Sequence, residues 1–332
     1  MERGSKIMIR LRFATSAVAG LVLSLSLCLS GCSFGLKDAY SLKERIPSIE
    51  TSFAAEEEAA KGFASDLCVI SDEGSFNPED VTSQAGALFD LTDREVLYSK
   101  DAFEKLYPAS ITKVMTALIA IKYGNLEDQV TVTEDAVITE TGATLCGIQP
   151  GDTLTLEQLL YGLMLPSGND AGAAIAIHMA GSIDAFADKM NEEAKHLGAT
   201  DTHFMNPHGL HDEEHYTTAY DLYLIFNEAL KYPEFRTVTG STAYTANYTN
   251  KAGESISKTW RGGNWYLTGE HETPEGLTVF SGKTGTTKAA GYCLIMAEKD
   301  DSDREFISVV LKSDSRPHLY DNMTNIISKI VK

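Results

Sequence analysis

Ala85-Gly86-Ala87-Leu88-Phe89-Asp90-Leu91, then Thr92-Asp93, then Arg94-Glu95-Val96-Leu97-Tyr98-Ser99, reads as two short strands about a polar turn. The C-terminal third repeats that pattern. Strands are expected at 277–282, 292–298 and 305–312, the last two joined by Lys299-Asp300-Asp301-Ser302-Asp303, with a closing helix at 317–330. The middle of the chain is helical instead. Residues 110–123 place Val114, Met115, Leu118, Ile119 and Ile121 at helical spacing, and 155–165 opens with the capping box Thr155-x-x-Gln158 and stops before Pro166. Helices at 169–180, 184–197 and 218–231 complete the block, and 67–70 is a candidate outlying strand. Strands from both chain ends around a helical insert imply an α/β sandwich. Its antiparallel sheet is completed by the N-terminal hairpin and flanked by helices, with a mainly helical subdomain at about 124–235.

The chain has 332 residues, which allows one large domain or two of roughly 150 residues. A hydrophobic fraction of 43% with 23% charged residues excludes disordered and collagen-like classes. Lys plus Arg is 28 against 47 Asp plus Glu, a net charge of −19. Residues 1–31 hold Arg3, Lys6, Arg10 and Arg12 against Glu2 alone, so the rest carries 24 basic and 46 acidic residues, or −22. Such a surface repels phosphate backbones, and nucleic acid is not an expected partner.

The N-terminus has the pattern of an address. After the basic start, an uncharged run from Phe13 ends in Leu29-Ser30-Gly31-Cys32, a basic, apolar and small-residue sequence in the order of a signal peptide. Leu-Ser-Gly-Cys resembles a bacterial lipobox, in which the Cys is diacylated and the chain is cut just before it. Cys32 is then the lipid attachment site, 1–31 the signal, 32–83 a tether, and 84–332 the folded domain on the outer face of the membrane. A secretory signal cut elsewhere and an uncleaved membrane helix are the alternatives. Cys68, Cys146 and Cys293 are an odd number at irregular spacing, so buried free thiols are expected and a Cys146–Cys293 bridge stays open.

Three short motifs stand where the pattern changes: Ser110-Ile111-Thr112-Lys113 at a helix start, Ser167-Gly168-Asn169 in a turn between helices, and Lys283-Thr284-Gly285 at a strand end. Each alone is weak. A Ser could be only a cap and a Gly only a turn residue. Together they describe an activated nucleophile. Ser110 and Lys113, three apart, share a helix face, where the dipole favours developing negative charge. A hydroxyl needs a base, and Lys113 serves only when neutral, a state that burial and the like charge of Lys283 both favour. The backbone N–H groups of Ser110 and Thr286 form an oxyanion hole if the strand edge lies beside the helix.

These motifs, with Pro108-Ala109 and Val114-Met115-Thr116, Leu165-Pro166, Asp170-Ala171, His208-Gly209-Leu210, Tyr216-Thr217-Thr218-Ala219-Tyr220-Asp221, Gly282 and Thr286 around them, resemble the penicillin-binding protein and serine β-lactamase superfamily. More narrowly they are similar to low-molecular-mass D-alanyl-D-alanine carboxypeptidases, peptidase family S11. The resemblance runs from about residue 84 to the C-terminus. It implies a β-lactamase/transpeptidase-like fold and removal of the terminal D-alanine from peptidoglycan stem pentapeptides through an acyl-enzyme on Ser110, with penicillin and other β-lactams as covalent inhibitors. It also implies that Ser167 relays a proton to the leaving amine, and that Asn169 orients the substrate amide and Lys113. Lys283, Thr284, Gly285 and Thr286 then line the site of the terminal carboxylate. No cofactor and no metal are expected.

A serine β-lactamase or a DD-endopeptidase on the same fold is the alternative. Class A β-lactamases resemble Ser-Asp-Asn at the second motif and carry a deacylating Glu beyond it, whereas this chain has Ser167-Gly168-Asn169 and no Glu-x-x-Leu-Asn pattern in 200–210. A zinc peptidase built on His208, His211 and His215 is disfavoured because Pro207 and Gly209 break any helix there. A scaffold that has lost the reaction would show a broken motif. Only 47 residues follow Gly285, too few for the β-rich second domain that many carboxypeptidases carry, so Cys32 is expected to replace its anchoring role.

Overall fold

β1 (Ala85–Asp90) and β2 (Glu95–Lys100) form the expected hairpin, and β1 pairs along its other edge with β9 (Glu305–Ser313). The computed structural model describes residues 66–70 and 81–331. One antiparallel sheet runs in the order β2-β1-β9-β8-β7, with β7 (Leu277–Thr287) at one edge and β8 (Gly291–Asp300) inside it. The first and last strands therefore pair inside the sheet, as the strand pattern of the sequence implied.

Both faces of this sheet are covered, and the period-2 alternation decides which side chain meets which layer. Ala85, Ala87, Phe89, Cys293, Ile295, Ala297, Ile307, Val309 and Leu311 point into the larger core with the helical block. Leu88, Leu294, Met296, Phe306 and Val310 point the other way, onto Leu319, Met323 and Ile326 of the last helix. That two-sided burial explains why these strands read as near-continuous apolar runs.

The helical block comprises α1 (Lys113–Tyr123), α2 (Leu156–Met164), α3 (Asn169–Ala180), α4 (Ile183–His196), α5 (Ala219–Ala229) and α6 (Pro233–Gly240). A short α7 (Trp265–Thr268) precedes β7, and α8 (Arg316–Ile327) closes the chain. The capping box forms in full: Gln158 N–H donates to Thr155 Oγ1 and Thr155 N–H to the Gln158 side chain. α8 starts before Pro317 because the Ser315 side chain accepts from His318 N–H as an N-cap. Pro233 opens α6 at its first turn, where a missing N–H costs nothing.

A second sheet, β3-β4-β5-β6, was not expected. It joins β3 (Gln129–Thr131), β4 (Thr153–Thr155), β5 (Ala243–Thr249) and β6 (Ser255–Arg261). In β5 only Ala246 and Tyr248 are buried among Thr and Asn, and β3 and β4 have three residues each, so no apolar run announces them.

Residues 67–70 are not a strand. Within the stretch expected as tether, Cys68 is instead buried: its N–H donates to Tyr223 Oη at 2.8 Å, its carbonyl accepts from Tyr220 at 2.9 Å, and its thiol donates to the Asp90 carbonyl. Side chains, not a strand ladder, satisfy this backbone. Cys68, Cys146 and Cys293 are all free and buried, so the open disulfide pairing is not formed. Burial raises each thiol well above its ordinary range, Cys68 to about 11 and Cys293 to about 12. The signal, Cys32 and most of the tether lie outside the described residues.

Candidate active site

Ser110 lies in a 3-10 turn, Ala109–Thr112, that runs into α1 at Lys113. Lys113 has no exposed surface and stands at the centre of three acceptors. Its Nζ is 3.0 Å from Ser110 Oγ, 2.7 Å from Asn169 Oδ1 and 2.6 Å from the carbonyl of His208. A neutral amine has two N–H donors and one lone pair. Asn169 Oδ1 and the His208 carbonyl can only accept, so they take the donors and leave the lone pair for the Ser110 hydroxyl. As an ammonium the same nitrogen donates to all three. The arrangement thus lets a proton pass between Ser110 Oγ and Lys113 Nζ without displacement of either side chain. Burial and the charge of Lys283 hold its pKa far below the ordinary lysine range, with Asp170 pulling weakly the other way.

A second pair faces the first motif. Lys283 is 3% exposed, and its Nζ donates to Ser167 Oγ at 3.0 Å and to the Thr284 carbonyl at 2.8 Å. Burial pushes it down to about 7. Ser167 sits between α2 and α3 with φ 62, a left-handed conformation costly for a residue with a Cβ and held only where the surroundings demand it. Asn169 is the first residue of α3 and Asp170 the second. Lys283-Thr284-Gly285 does not end its strand: β7 continues to Thr287. Thr284 is half-buried and Thr286 exposed.

Gly285 shows how closely the strand meets the nucleophile. A Cβ there would lie 2.8 Å from the Pro108 carbonyl and 3.1 Å from Ser110 N, so only hydrogen fits. β7 is an edge strand, with alternate N–H groups free of a sheet partner. β7 therefore runs alongside the Ser110 turn.

Three elements of the site were not legible beforehand. The His208 carbonyl that holds Lys113 belongs to a loop almost a hundred residues away, and backbone acceptors leave no trace in residue type. The Asp170 carboxylate accepts the N–H groups of Cys146, Gly147 and Ile148 at 2.8, 2.7 and 3.2 Å, tying down the loop over the second motif. His215 bonds to Thr112, within the first motif. Of the histidines weighed as metal ligands, His208 accepts Leu210 N–H through Nδ1 and His211 packs edge-on against Tyr107. The first pairing lies within the loop, and the second joins it to the segment just before the Ser110 turn.

The sequence model for D-alanyl-D-alanine carboxypeptidases, peptidase S11, matches residues 72–315. The chain belongs to peptidase family S11. It is 34% identical over 227 residues to D-alanyl-D-alanine carboxypeptidase DacF of Bacillus subtilis, covering 67% of this chain and 55% of that one. It is also 34% identical over 248 residues to the D-alanyl-D-alanine carboxypeptidase of Streptomyces sp. strain K15, covering 70% of this chain and 81% of that one. The chain spans about half the length of the Bacillus relative and of Escherichia coli DacC. The crystal structure of the Streptomyces K15 DD-transpeptidase superposes with a TM-score of 0.69 at 32% identity, over 75% of this chain and 97% of that one. A D-alanyl-D-alanine carboxypeptidase structure from Mycobacterium tuberculosis gives 0.68 at 28% identity, over 79% and 96%. As a member of S11, the chain has the α/β penicillin-binding fold that the motif resemblance implied.

Proposed function

We propose that this S11 protein is a serine D-alanyl-D-alanine carboxypeptidase with Ser110 as nucleophile. The observation that carries the reading is the Lys113 amine, fully buried and 3.0 Å from Ser110 Oγ with its other two partners pure acceptors. Lys113 takes the hydroxyl proton as Ser110 Oγ attacks the carbonyl of the penultimate D-alanine. The N–H groups of Ser110 and Thr286 receive the oxyanion. Ser167, bonded to Lys283, passes a proton to the departing amine, and the terminal D-alanine leaves. Water then cleaves the acyl-serine ester and restores the hydroxyl. Asn169 orients both Lys113 and the substrate amide. Lys283, Thr284 and Thr286 bind the free carboxylate, with Gly285 allowing the close approach, so a chain end is selected over a mid-chain bond.

A labelled penicillin tests this reading. One long-lived adduct on Ser110, absent from Ser110→Ala, is the expected outcome; rapid turnover of the drug would instead mark a β-lactamase. Transfer of the acyl group to an amine rather than water is the reaction named for the Streptomyces K15 structure, and an amino-acid acceptor added to a peptide assay separates the two.

The protein is further proposed to act at the outer face of the membrane through a lipid on Cys32, with 1–31 removed as a signal. Residues 84–332 are proposed as one catalytic unit with the helical insert at about 124–235. The lipobox-like Leu29-Ser30-Gly31-Cys32 supports the anchor. Release of Cys32→Ala from the membrane fraction is the expected result, and a variant that stays membrane-bound contradicts it.

A further inference from the structure

Ser110 follows an alanine in an unfavourable backbone conformation. Ala109 has φ 47, in the left-handed region that a residue with a Cβ adopts only at a cost. Such a residue persists only when its neighbours fix it. Here the fixing is traceable atom by atom. The Thr112 hydroxyl donates to the Ala109 carbonyl at 2.8 Å. That uses its single proton, so its contact with His215 Nε2, also 2.8 Å, has the ring as donor. His215 Nδ1 is then the unprotonated nitrogen, and it accepts Met205 N–H at 3.1 Å. Both ring nitrogens of His215 and the Thr112 hydroxyl have partners in this relay, and only one tautomer fits.

The ring itself is rigidly carried. His215 is 2% exposed and packs edge-on against Phe204 at 5.6 Å. Two residues on, Thr217 exchanges both backbone hydrogen bonds with Leu106, and Tyr216 does so with His203. Gly209 of the same loop lies against the Ala109 carbonyl from another side, leaving no room for a Cβ. Burial pushes the His215 pKa down to about 3, which keeps the ring neutral with one N–H to give.

We propose that His215 is a positioning residue of the nucleophile turn: through Thr112 it locks the Ala109 carbonyl, and with it the left-handed backbone that presents Ser110 to Lys113. It touches neither substrate nor reacting atoms. The inference rests on Ser110 being the nucleophile, and the loop from 203 to 217 then acts twice, the His208 carbonyl holding the base and His215 holding the turn.

The test is the second-order rate of acylation by a labelled penicillin, with melting temperature measured alongside. His215→Leu and Thr112→Val, which remove the donor and the relay, are each expected to slow acylation about 10- to 100-fold, as displacement of a nucleophile by a fraction of an ångström to an ångström does. His215→Gln, whose amide N–H can replace Nε2–H, is expected to recover most of the rate. The double variant His215→Leu/Thr112→Val is expected to be no slower than the worse single one, because both break one chain. Acylation within about twofold of wild type in both single variants, or losses that multiply in the double, overturns the proposal. Equal rates for His215→Leu and His215→Gln also overturn it. If His215→Leu fails to fold, Thr112→Val and His215→Gln decide, since both conserve shape. A wild-type protein that takes no label refutes the functional reading instead, which keeps the two failures apart.

Discussion

Two buried lysines share the site, and their protonation divides the work. On the proposed mechanism Lys113 is neutral when it takes the Ser110 proton, and Lys283 is charged when it holds a carboxylate. Burial lowers Lys283 to about 7, so in the free protein its charge is lost as pH rises through that value. We expect kcat/KM for a D-alanyl-D-alanine peptide to fall on the alkaline side near pH 7. A bound carboxylate favours the ammonium, so kcat is expected to fall at higher pH than kcat/KM. Coincident alkaline limbs in the two pH profiles would contradict that assignment. The linkage to stability has a definite sign. Between pH 7 and 10.5 the unfolded chain binds a proton that folded Lys283 does not, so this residue makes stability rise with pH across that window. Lys113→Ala is expected to lower acylation by about 10²- to 10⁴-fold, the usual worth of a positioned base, measured with labelled penicillin. The Ser110–Lys113 pairing was readable because it is local, three residues along one turn. Asn169 beside Lys113 was expected from the motif resemblance, whereas the His208 acceptor is a backbone carbonyl from a distant loop that residue type does not reveal.

At the scale of elements, β7 and the Ser110 turn are held together by the absence of a side chain. Gly285→Ala would place a methyl 2.8 Å from the Pro108 carbonyl, a backbone atom, with no flexible side chain to give way. The strand edge must then withdraw from Ser110, and we expect acylation to drop about 100-fold while the melting temperature changes little, because β7–β8 pairing is untouched. Asp170 has the opposite profile. It is 5% exposed and satisfies three loop N–H groups, so Asp170→Ala should cost roughly 2–3 kcal/mol in denaturant unfolding. The interior of β8 holds a further titrating group. Glu298 is fully buried, receives the Ser308 hydroxyl on one oxygen, and is pushed well above the ordinary carboxyl range by burial. Its folded form keeps a proton that the unfolded chain releases, so its contribution is complete below about pH 4.5 and is lost as pH rises toward its folded value. Glu298→Gln should therefore be the more stable protein at alkaline pH, seen as a flatter plot of melting temperature against pH.

Across the whole molecule, legibility followed the strength of the apolar pattern. The five-stranded sheet was readable from its ends, since strands such as Ala85–Asp90 are buried on both faces and have no polar interruption. The four-stranded sheet was not, because its longest strands carry Thr, Ser and Asn and bury only a few side chains. Cys68 was invisible for another reason: its anchors, Tyr220 and Tyr223, lie more than 150 residues away, and no sequence motif links them. The charge of −19 belongs to the molecule as a whole, yet the two lysines of the proposed mechanism are almost wholly withdrawn from solvent. The most direct measurement is release of free D-alanine from an acyl-D-alanyl-D-alanine peptide by the purified protein. The account predicts release by the wild type and none above background by Ser110→Ala. No release by a folded wild type, or undiminished release by Ser110→Ala, would contradict it.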